Sequence, residues 1–172
     1  MTNSPEGLNL DRLAADLSQA IIINVREEAV KDVEEKLKKE KKSSDEAERA
    51  KRDLIKKRTE TLERLVTKAL GVLQEQGIYA TMLFLFSRSS DEKEVAPSVR
   101  SQLFEALKKL LTLKNGVTVP QVNADAQTAL RFYIDNVLDN LDTLLLVRDL
   151  YEQTLIYARY SAKAADDKAS GG

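Results

Sequence analysis

The sequence predicts an all-α fold: a bundle of about six helices around a short, buried apolar helix, with a long charged helical hairpin near the N-terminus. Apolar residues recur at steps of three and four over most of the chain, which is the period of an amphipathic helix. Residues 78–86 (IYATMLFLF) are apolar in every direction of a helix, so we expect other helices to enclose them. Every flanking segment has helical periodicity, and a lone strand here would leave its backbone groups unpaired.

Length and composition limit the class of protein. The chain has 172 residues, of which 42% are hydrophobic and 32% charged, and this suits one globular domain with a sizeable core. Nothing resembles a secretory signal, and no stretch approaches the roughly 20 apolar residues of a membrane span. We therefore expect a cytoplasmic protein with no membrane partner.

The chain contains neither cysteine nor histidine. Without cysteine there are no disulfides, thiolate zinc sites, iron–sulfur clusters or cysteine nucleophiles. Without histidine there are no serine triads and no His-containing metal or haem sites, because histidine is the usual base and ligand near neutral pH. The six glycines do not have the spacing of a phosphate loop. We expect a non-enzymatic protein with no cofactor and no small-molecule substrate, and carboxylate-only chemistry is the one catalytic class left open.

The N-terminal half predicts a loose lead-in, residues 1–9, followed by a helical hairpin. An apolar stripe begins at Leu10 and continues to Leu37, which indicates one long helix. Ser43 stands three residues before Glu46, the spacing of a capping box that opens a second helix. Gly77 is expected to close that helix, because glycine readily adopts the left-handed conformation. The inner face of the second helix contains Leu62, Leu65, Val66, Ala69, Leu70 and Leu73.

The C-terminal half predicts three further helices after residue 88. Pro97 suits a first helical turn, Asn123 is expected to cap the next helix, and Asp142 the last one. A turn is expected at residues 114–116. Residues 10–163 form one domain in this interpretation, and residues 164–172 are small and polar, which predicts a disordered tail. The predicted inner faces of the last two helices contain Ala126, Leu130, Tyr133, Ile134, Val137 and Leu138, then Leu145, Val147, Tyr151, Leu155 and Ala158.

The charged hairpin extension, residues 30–61, has the strongest charge asymmetry in the chain. Residues 36–58 include eleven basic and five acidic residues, a net charge of +6, whereas the whole chain has −1. Such a segment is able to bind phosphates and release counterions. The alternative is a solvated hairpin stabilised by pairs such as Glu48 with Arg52. We favour this alternative at the level of the sequence, because charge runs are usually solvated faces.

Residues 60–165 contain a helix ending at Gly77, the run GIYATMLFLFSRS, a leucine-rich helix, a loop and a closing helix with the sequence LLLVRDLYEQTLIYARYSAKA. This order resembles the small all-helical subunit of type III-B (Cmr-type) CRISPR RNA-guided effector complexes. The small subunits of other CRISPR effector types share the same helical character. The resemblance implies a non-catalytic antiviral protein that stacks in several copies beside the backbone and large subunits. It also implies that the protein helps hold target RNA against the guide RNA, while other subunits cleave.

The resemblance implies that basic residues of the later helices contact nucleic acid. Arg88 matches the basic residue that closes the apolar segment, and Arg148 and Arg159 match basic positions along the final helix. For a partly buried Arg148, pairing with Asp149 or Glu152 is the structural alternative. The full set of candidate nucleic-acid-binding residues is Arg88, Lys108, Lys109, Arg148, Arg159 and Lys163.

Three tyrosines of the final helix, Tyr151, Tyr157 and Tyr160, have side chains that are able to stack on bases. Tyrosines at helical spacing are more often core or subunit contacts, so we favour that interpretation.

Asp135, Asp139 and Asp142 lie at steps of four and three on one predicted helix face. No second carboxylate motif accompanies them, and the glycine of a calcium loop is missing, so we expect no metal. One other class of function stays open: a helical adaptor whose hairpin binds partner helices without nucleic acid.

Overall fold

The computed structural model describes residues 9–39, 43–112 and 124–170, with side chains described as far as residue 165. Within these ranges the chain forms five α-helices and no strand, which confirms the all-α class. The predicted lead-in as far as residue 8 and the predicted turn at 114–116 lie outside the described residues. The helices are α1 Leu10–Lys39, α2 Ser44–Phe86, α3 Glu92–Thr112, α4 Ala126–Asn136 and α5 Leu141–Ser170.

The helices α1 and α2 form the predicted hairpin. The Asn9 side chain accepts a hydrogen bond from the Arg12 N–H at 2.9 Å and so starts α1. The capping box at the start of α2 is confirmed: Ser43 Oγ accepts from the Glu46 N–H at 3.4 Å, and the Glu46 carboxylate accepts from the Ser43 N–H at 3.3 Å. The apolar stripe of α1 is buried at Leu13, Ala14, Leu17, Ile21, Ile22, Val25, Ala29 and Val33.

The chain reverses within α2 at Gly77, where two helical limbs meet at a residue of non-helical conformation, and this break is at the position that the sequence predicts. Gly77 has φ 86° and ψ −173°, a conformation nearly restricted to glycine. The Glu92 carboxylate bonds both Lys68, at 2.7 Å, and Arg88, at 3.2 Å. Twenty residues of straight helix would separate residues 68 and 88 by about 30 Å. The C-terminal limb of α2, residues 78–86, therefore folds back along the part of α2 before Gly77.

The expectation that other helices enclose the C-terminal limb is wrong for about half of its side chains. Ile78, Met82 and Leu85 are fully buried, but Leu83 is 49% exposed. The outer aromatic rings are covered by cations, because the Arg88 guanidinium lies 3.7 Å from the centroid of Phe84. Arg100 similarly lies 4.5 Å from the centroid of Phe86 and donates to the Leu85 carbonyl at 2.9 Å. The guanidinium groups of Arg88 and Arg100, and not another helix, cover the outer aromatic rings of this limb.

The core contains an aromatic cluster that joins α3, α4 and α5. Phe104, Tyr133 and Tyr151 pack edge to face, with ring centroids 5.6 Å apart for the first pair and 6.5 Å for the second. The hydroxyls of the two tyrosines bond each other, so neither polar tip is left unsatisfied. Burial raises the pKa of both phenols.

The predicted caps of α4 and α5 are wrong by one turn or less. Asp125 caps α4, since its carboxylate accepts from the Thr128 N–H at 3.0 Å and from Thr128 Oγ1 at 2.7 Å, whereas Asn123 lies outside the described residues. Asn140, and not Asp142, caps α5, because its side-chain oxygen accepts from the Thr143 N–H at 2.9 Å. At the start of each of these helices, two nearby Asn or Asp side chains are able to cap the helix. The sequence alone does not show which of them does so.

The disordered tail predicted from residue 164 does not begin there, because α5 continues to Ser170. Alanine and lysine supply much of this segment, and both have high helix propensity. Residues 171 and 172 lie outside the described residues.

Three residues that were predicted to face the core lie at the surface. Ile134, Leu138 and Leu145 are between 39% and 47% exposed. α4 has only eleven residues, and its buried positions are Ala129, Phe132 and Tyr133. The apolar residues of α4 extend around more of the helix than its neighbours cover.

By length and composition, α2 meets the criterion for a membrane-spanning helix. The core helices of soluble proteins meet the same criterion, so this is weak evidence for a membrane. In the structure, 33% of the apolar stretch that meets the criterion is buried, and the kink at Gly77 interrupts α2.

Gly77→Ala is expected to destabilise the protein by about 1–3 kcal/mol, because any Cβ is strained in this backbone conformation. Gly71→Ala is the matched control: Gly71 lies within the helix with no atom within 4 Å of an added Cβ, so it is expected to gain up to about 1 kcal/mol. Urea unfolding of both variants measures the difference. Equal effects on the free energy of unfolding would contradict the role assigned to the reversal.

The paired phenols predict a loss of stability at high pH. The pKa values of both phenols in the folded state lie above the ordinary tyrosine value of about 10, so above about pH 10 the unfolded chain loses protons that the folded chain retains. The free energy of unfolding therefore decreases as the pH rises past 10. Replacing both Tyr133 and Tyr151 by Phe is expected to flatten this decrease, measured by unfolding between pH 8 and pH 11. An unchanged pH slope in the double variant would contradict the assignment.

Candidate nucleic-acid interface

A cleft of about 510 Å³ lies where α1, α2 and the C-terminal part of α5 meet. One wall contains Arg26 of α1, and the other contains Arg49, Arg52 and Lys56 of α2. The three residues of α2 follow each other at steps of three and four, which places them on one helix face. We call these four residues and the space between them the basic cleft. Asp53 is the acidic residue of its described lining, so the side chains sum to a charge of +3.

The four cations of the basic cleft are exposed, and none has an ion-pair partner among the described residues. Other basic residues of the hairpin are paired, for example Lys51, which lies 3.1 Å from Glu34 and 3.7 Å from Glu48. Unpaired cations that converge on a cleft attract anions, whereas paired ones mainly hold the two helices together. The arrangement therefore suits a phosphate-bearing ligand.

Arg58 fixes the base of the hairpin beside the basic cleft. Its side chain is buried, and its guanidinium pairs with Asp32 of α1 and lies 3.6 Å from Glu94 of α3. One cation thereby joins three helices through charge-assisted hydrogen bonds. Because Asp32 and Arg58 lie within two turns of Arg26 and Lys56, this junction sets the distance between the walls of the cleft.

Two of the six candidate residues from the sequence are engaged inside the fold. The Arg88 guanidinium donates to the Phe84 carbonyl at 2.8 Å and to Glu92 at 3.2 Å, besides covering the Phe84 ring. Arg148 donates to the Gln74 carbonyl at 3.3 Å, in the turn before the reversal. Its buried Nε has no hydrogen-bond partner within the described part of the chain.

The pairing of Arg148 with Asp149 or Glu152 is not among the contacts of the described side chains. Glu152 instead accepts a hydrogen bond from the Gln74 side chain at 2.7 Å.

The other four candidate residues lie on two helices. Lys108 and Lys109 are exposed in the last turns of α3. Arg159 and Lys163 are one turn apart on α5, and the Arg159 guanidinium lies 5.9 Å from the Tyr160 ring centroid. Lys163 is exposed and precedes by two residues Ala165, which lines the basic cleft. Residues two apart on a helix lie on different faces, so Lys163 is near the end of the basic cleft but is not part of its lining.

The three tyrosines of α5 have different environments. Tyr151 is a core residue, and Tyr157 donates a hydrogen bond to Asp11, which joins α5 to α1 and raises the pKa of this phenol. Tyr160 is 62% exposed, so it is the one of the three whose ring is open to stacking.

The aspartates at 135, 139 and 142 do not form a metal site in the structure. Asp135 pairs with Arg131 at 3.0 Å. Across the described ranges, no group of three carboxylates has a metal-binding arrangement.

The sequence interpretation missed Arg26 as a site residue. Arg26 is an isolated basic residue in the middle of α1, and only the folded hairpin places it opposite Arg49 and Arg52. The concentration of positive charge at 36–58 was the signal for the three residues of α2.

No protein-family model, curated protein or solved structure matches the chain. The function is therefore argued from the geometry of the basic cleft together with the resemblance described above.

Arg88→Ala is expected to destabilise the fold by about 1–3 kcal/mol without a comparable loss of RNA affinity, because its partners are Phe84 and Glu92. Lys93→Ala, which removes an exposed cation of α3 outside the basic cleft, is the control and is expected to change stability by less than about 0.5 kcal/mol. Chemical unfolding and RNA titration of both variants separate the two effects. A folded, stable Arg88→Ala variant that has lost RNA binding would show that Arg88 contacts RNA after all.

Proposed function

We propose that the protein is a non-catalytic small subunit of a type III CRISPR ribonucleoprotein effector complex, in which it holds RNA through the basic cleft. One observation carries the proposal: Arg26, Arg49, Arg52 and Lys56 converge on one cleft without ion-pair partners among the described residues. The role in antiviral defence in the cytoplasm is proposed from the resemblance of residues 60–165 to such subunits.

The chemistry of the basic cleft suits an RNA backbone. Arginine presents a planar fork of N–H donors that matches two phosphate oxygens, and three of the four cations are arginines. Arg49 and Lys56 are separated along α2 by about 10 Å, so the two ends of this row are able to contact different phosphates of one strand. Contacts of this kind are independent of base identity, as a protein that accepts many guides and targets requires.

In this proposal the protein positions RNA and takes no part in cleavage. Its partners are the backbone and large subunits, the guide and target RNA, and further copies of the chain. Arg159 and Lys163 on α5 are candidates for further phosphate contacts outside the basic cleft, and the exposed ring of Tyr160 offers a stacking platform.

A second candidate function, a helical adaptor that binds proteins without nucleic acid, is favoured by a different observation. Large apolar side chains are exposed around the junction of α4 and α5. Concentrated apolar exposure of this kind marks protein-interaction surfaces. The two functions are distinguished by whether RNA copurifies with the protein from its host.

The cleft variant Arg49→Glu/Arg52→Glu is expected to bind single-stranded RNA at least tenfold more weakly than the wild type. Each lost phosphate contact lowers the slope of log affinity against log salt by about 0.7, so the slope should fall by about 1.4. Lys108→Glu/Lys109→Glu makes the same change of charge on α3 and is expected to keep most of the affinity. Titrations at several salt concentrations measure both quantities.

Two outcomes would overturn parts of this proposal. If the Lys108/Lys109 variant loses affinity and the cleft variant does not, RNA binds along α3, as the sequence predicted, and the basic cleft has another role. If the tagged protein recovered from its host contains partner proteins but no small RNA, the adaptor function replaces the proposal.

A further inference from the structure

Asp53 is an acidic residue among the cations of the basic cleft. It follows Arg52 directly on α2, between Arg49 and Lys56 in sequence, and its side chain is exposed. A carboxylate in this place repels the phosphates that the four cations attract. In a cleft that only held phosphates, Asp53 would lower the affinity. An acidic residue here favours binding only when the ligand also brings a hydrogen-bond donor to it.

The Asp53 carboxylate is open although three cations stand at pairing positions on the same helix. Arg49 precedes it by four residues, and Lys56 and Lys57 follow it by three and four, which are the spacings of helical ion pairs. Within the described part of the chain, Asp53 pairs with none of them, and Lys57 lies 3.2 Å from Asp91 instead. Both carboxylate oxygens are therefore available to a donor from a ligand.

Asp53 is also the acceptor that the described lining of the cleft offers to a ligand. The four cations only donate hydrogen bonds. Ile55 and Ala165 have apolar side chains, and Thr59 is buried, with its hydroxyl donating to the Ile55 carbonyl at 2.8 Å. A lining made of donors alone would hold the phosphates of RNA and DNA equally well. Asp53 is the lining residue that is able to respond to a difference between them.

The backbone of RNA has one hydrogen-bond donor that the backbone of DNA lacks, which is the ribose 2′-hydroxyl. Along a strand, each ribose lies between two phosphates. Arg52 and Lys56 are about 6 Å apart along the axis of α2, and Asp53 lies between them along that axis. When these two cations hold neighbouring phosphates of one strand, the ribose between the phosphates is therefore brought next to the Asp53 carboxylate.

We propose that Asp53 selects RNA over DNA in the basic cleft by accepting a hydrogen bond from a ribose 2′-hydroxyl. The inference rests on the proposed function, because it requires a strand in the basic cleft, and it names the residue that decides which kind of strand is held. The four cations attract either nucleic acid. The carboxylate repels the phosphates of both, but only RNA offsets this repulsion with a hydrogen bond.

Three single strands of one sequence test the proposal: RNA, 2′-fluoro RNA and DNA. The 2′-fluoro strand keeps the sugar conformation of RNA but has no donor at the 2′ position. The wild type is expected to bind RNA about tenfold more tightly than either other strand, as for a hydrogen bond to a charged group. Asp53→Ala is expected to bind all three strands within about twofold of one another, and to bind DNA more tightly than the wild type does.

Two control variants separate the hydrogen bond from the charge. Asp53→Asn keeps an acceptor oxygen without the negative charge, so it is expected to retain a preference for RNA of about threefold. Asp16→Ala removes a carboxylate from an exposed position of α1 outside the cleft lining, and it is expected to keep the wild-type preference. Circular dichroism verifies that each variant is folded.

Three results would overturn the inference: equal binding of the three strands by the wild type, an unchanged preference in Asp53→Ala, or complete loss of the preference in Asp53→Asn. Each of them leaves the proposed function in place as long as Arg49→Glu/Arg52→Glu still weakens RNA binding. If that cleft variant binds RNA as tightly as the wild type, the strand lies elsewhere and both proposals fail.

Discussion

The structure depends on the reversal of the chain at Gly77. This residue alone, among those described, combines a positive φ with an extended ψ inside a helix, and it turns α2 back on itself. The limb after Gly77 brings α3 alongside α2, where Glu92 is held by Lys68 and Arg88. Arg148 of α5 then bonds a carbonyl left open in the turn before the reversal. Helices from both halves of the chain are in contact near Gly77, so the reversal at Gly77 determines how the bundle packs.

The hairpin and the bundle divide the surface into regions of different chemistry. Apolar faces of α1 and α2 are covered by α3 and α5 near the bundle, and charge is concentrated further out. Buried Arg58 sits at the boundary, where pairing with Asp32 and Glu94 offsets the cost of its burial. Beyond this boundary the hairpin has exposed cations on one face and an apolar groove between α1 and α2 on another.

Local features were predictable from the sequence, and long-range ones were not. The Ser43 capping box, the stripe of α1 and the break at Gly77 depend on neighbouring residues, so spacing was sufficient to find them. The partner of Arg148 and the position of Arg26 depend on helices that are distant in sequence, whereas the partners of Arg88, Phe84 and Glu92, are only four residues away. Exposure of Ile134 and Leu145 was hidden because helical periodicity shows that a face is apolar but not whether a neighbour covers it.

The central claim is that RNA lies against α1 and α2 in the hairpin, and crosslinking tests it most directly. Ultraviolet crosslinking of the complex recovered with the tagged chain from its own host, followed by mass spectrometry of the crosslinked peptides, locates the RNA. Crosslinks in the peptides that contain Arg26 and residues 49–56 would agree with the basic cleft as the binding site. Crosslinks confined to α3 around Lys108 and Lys109, or recovery of the chain without RNA, would contradict it.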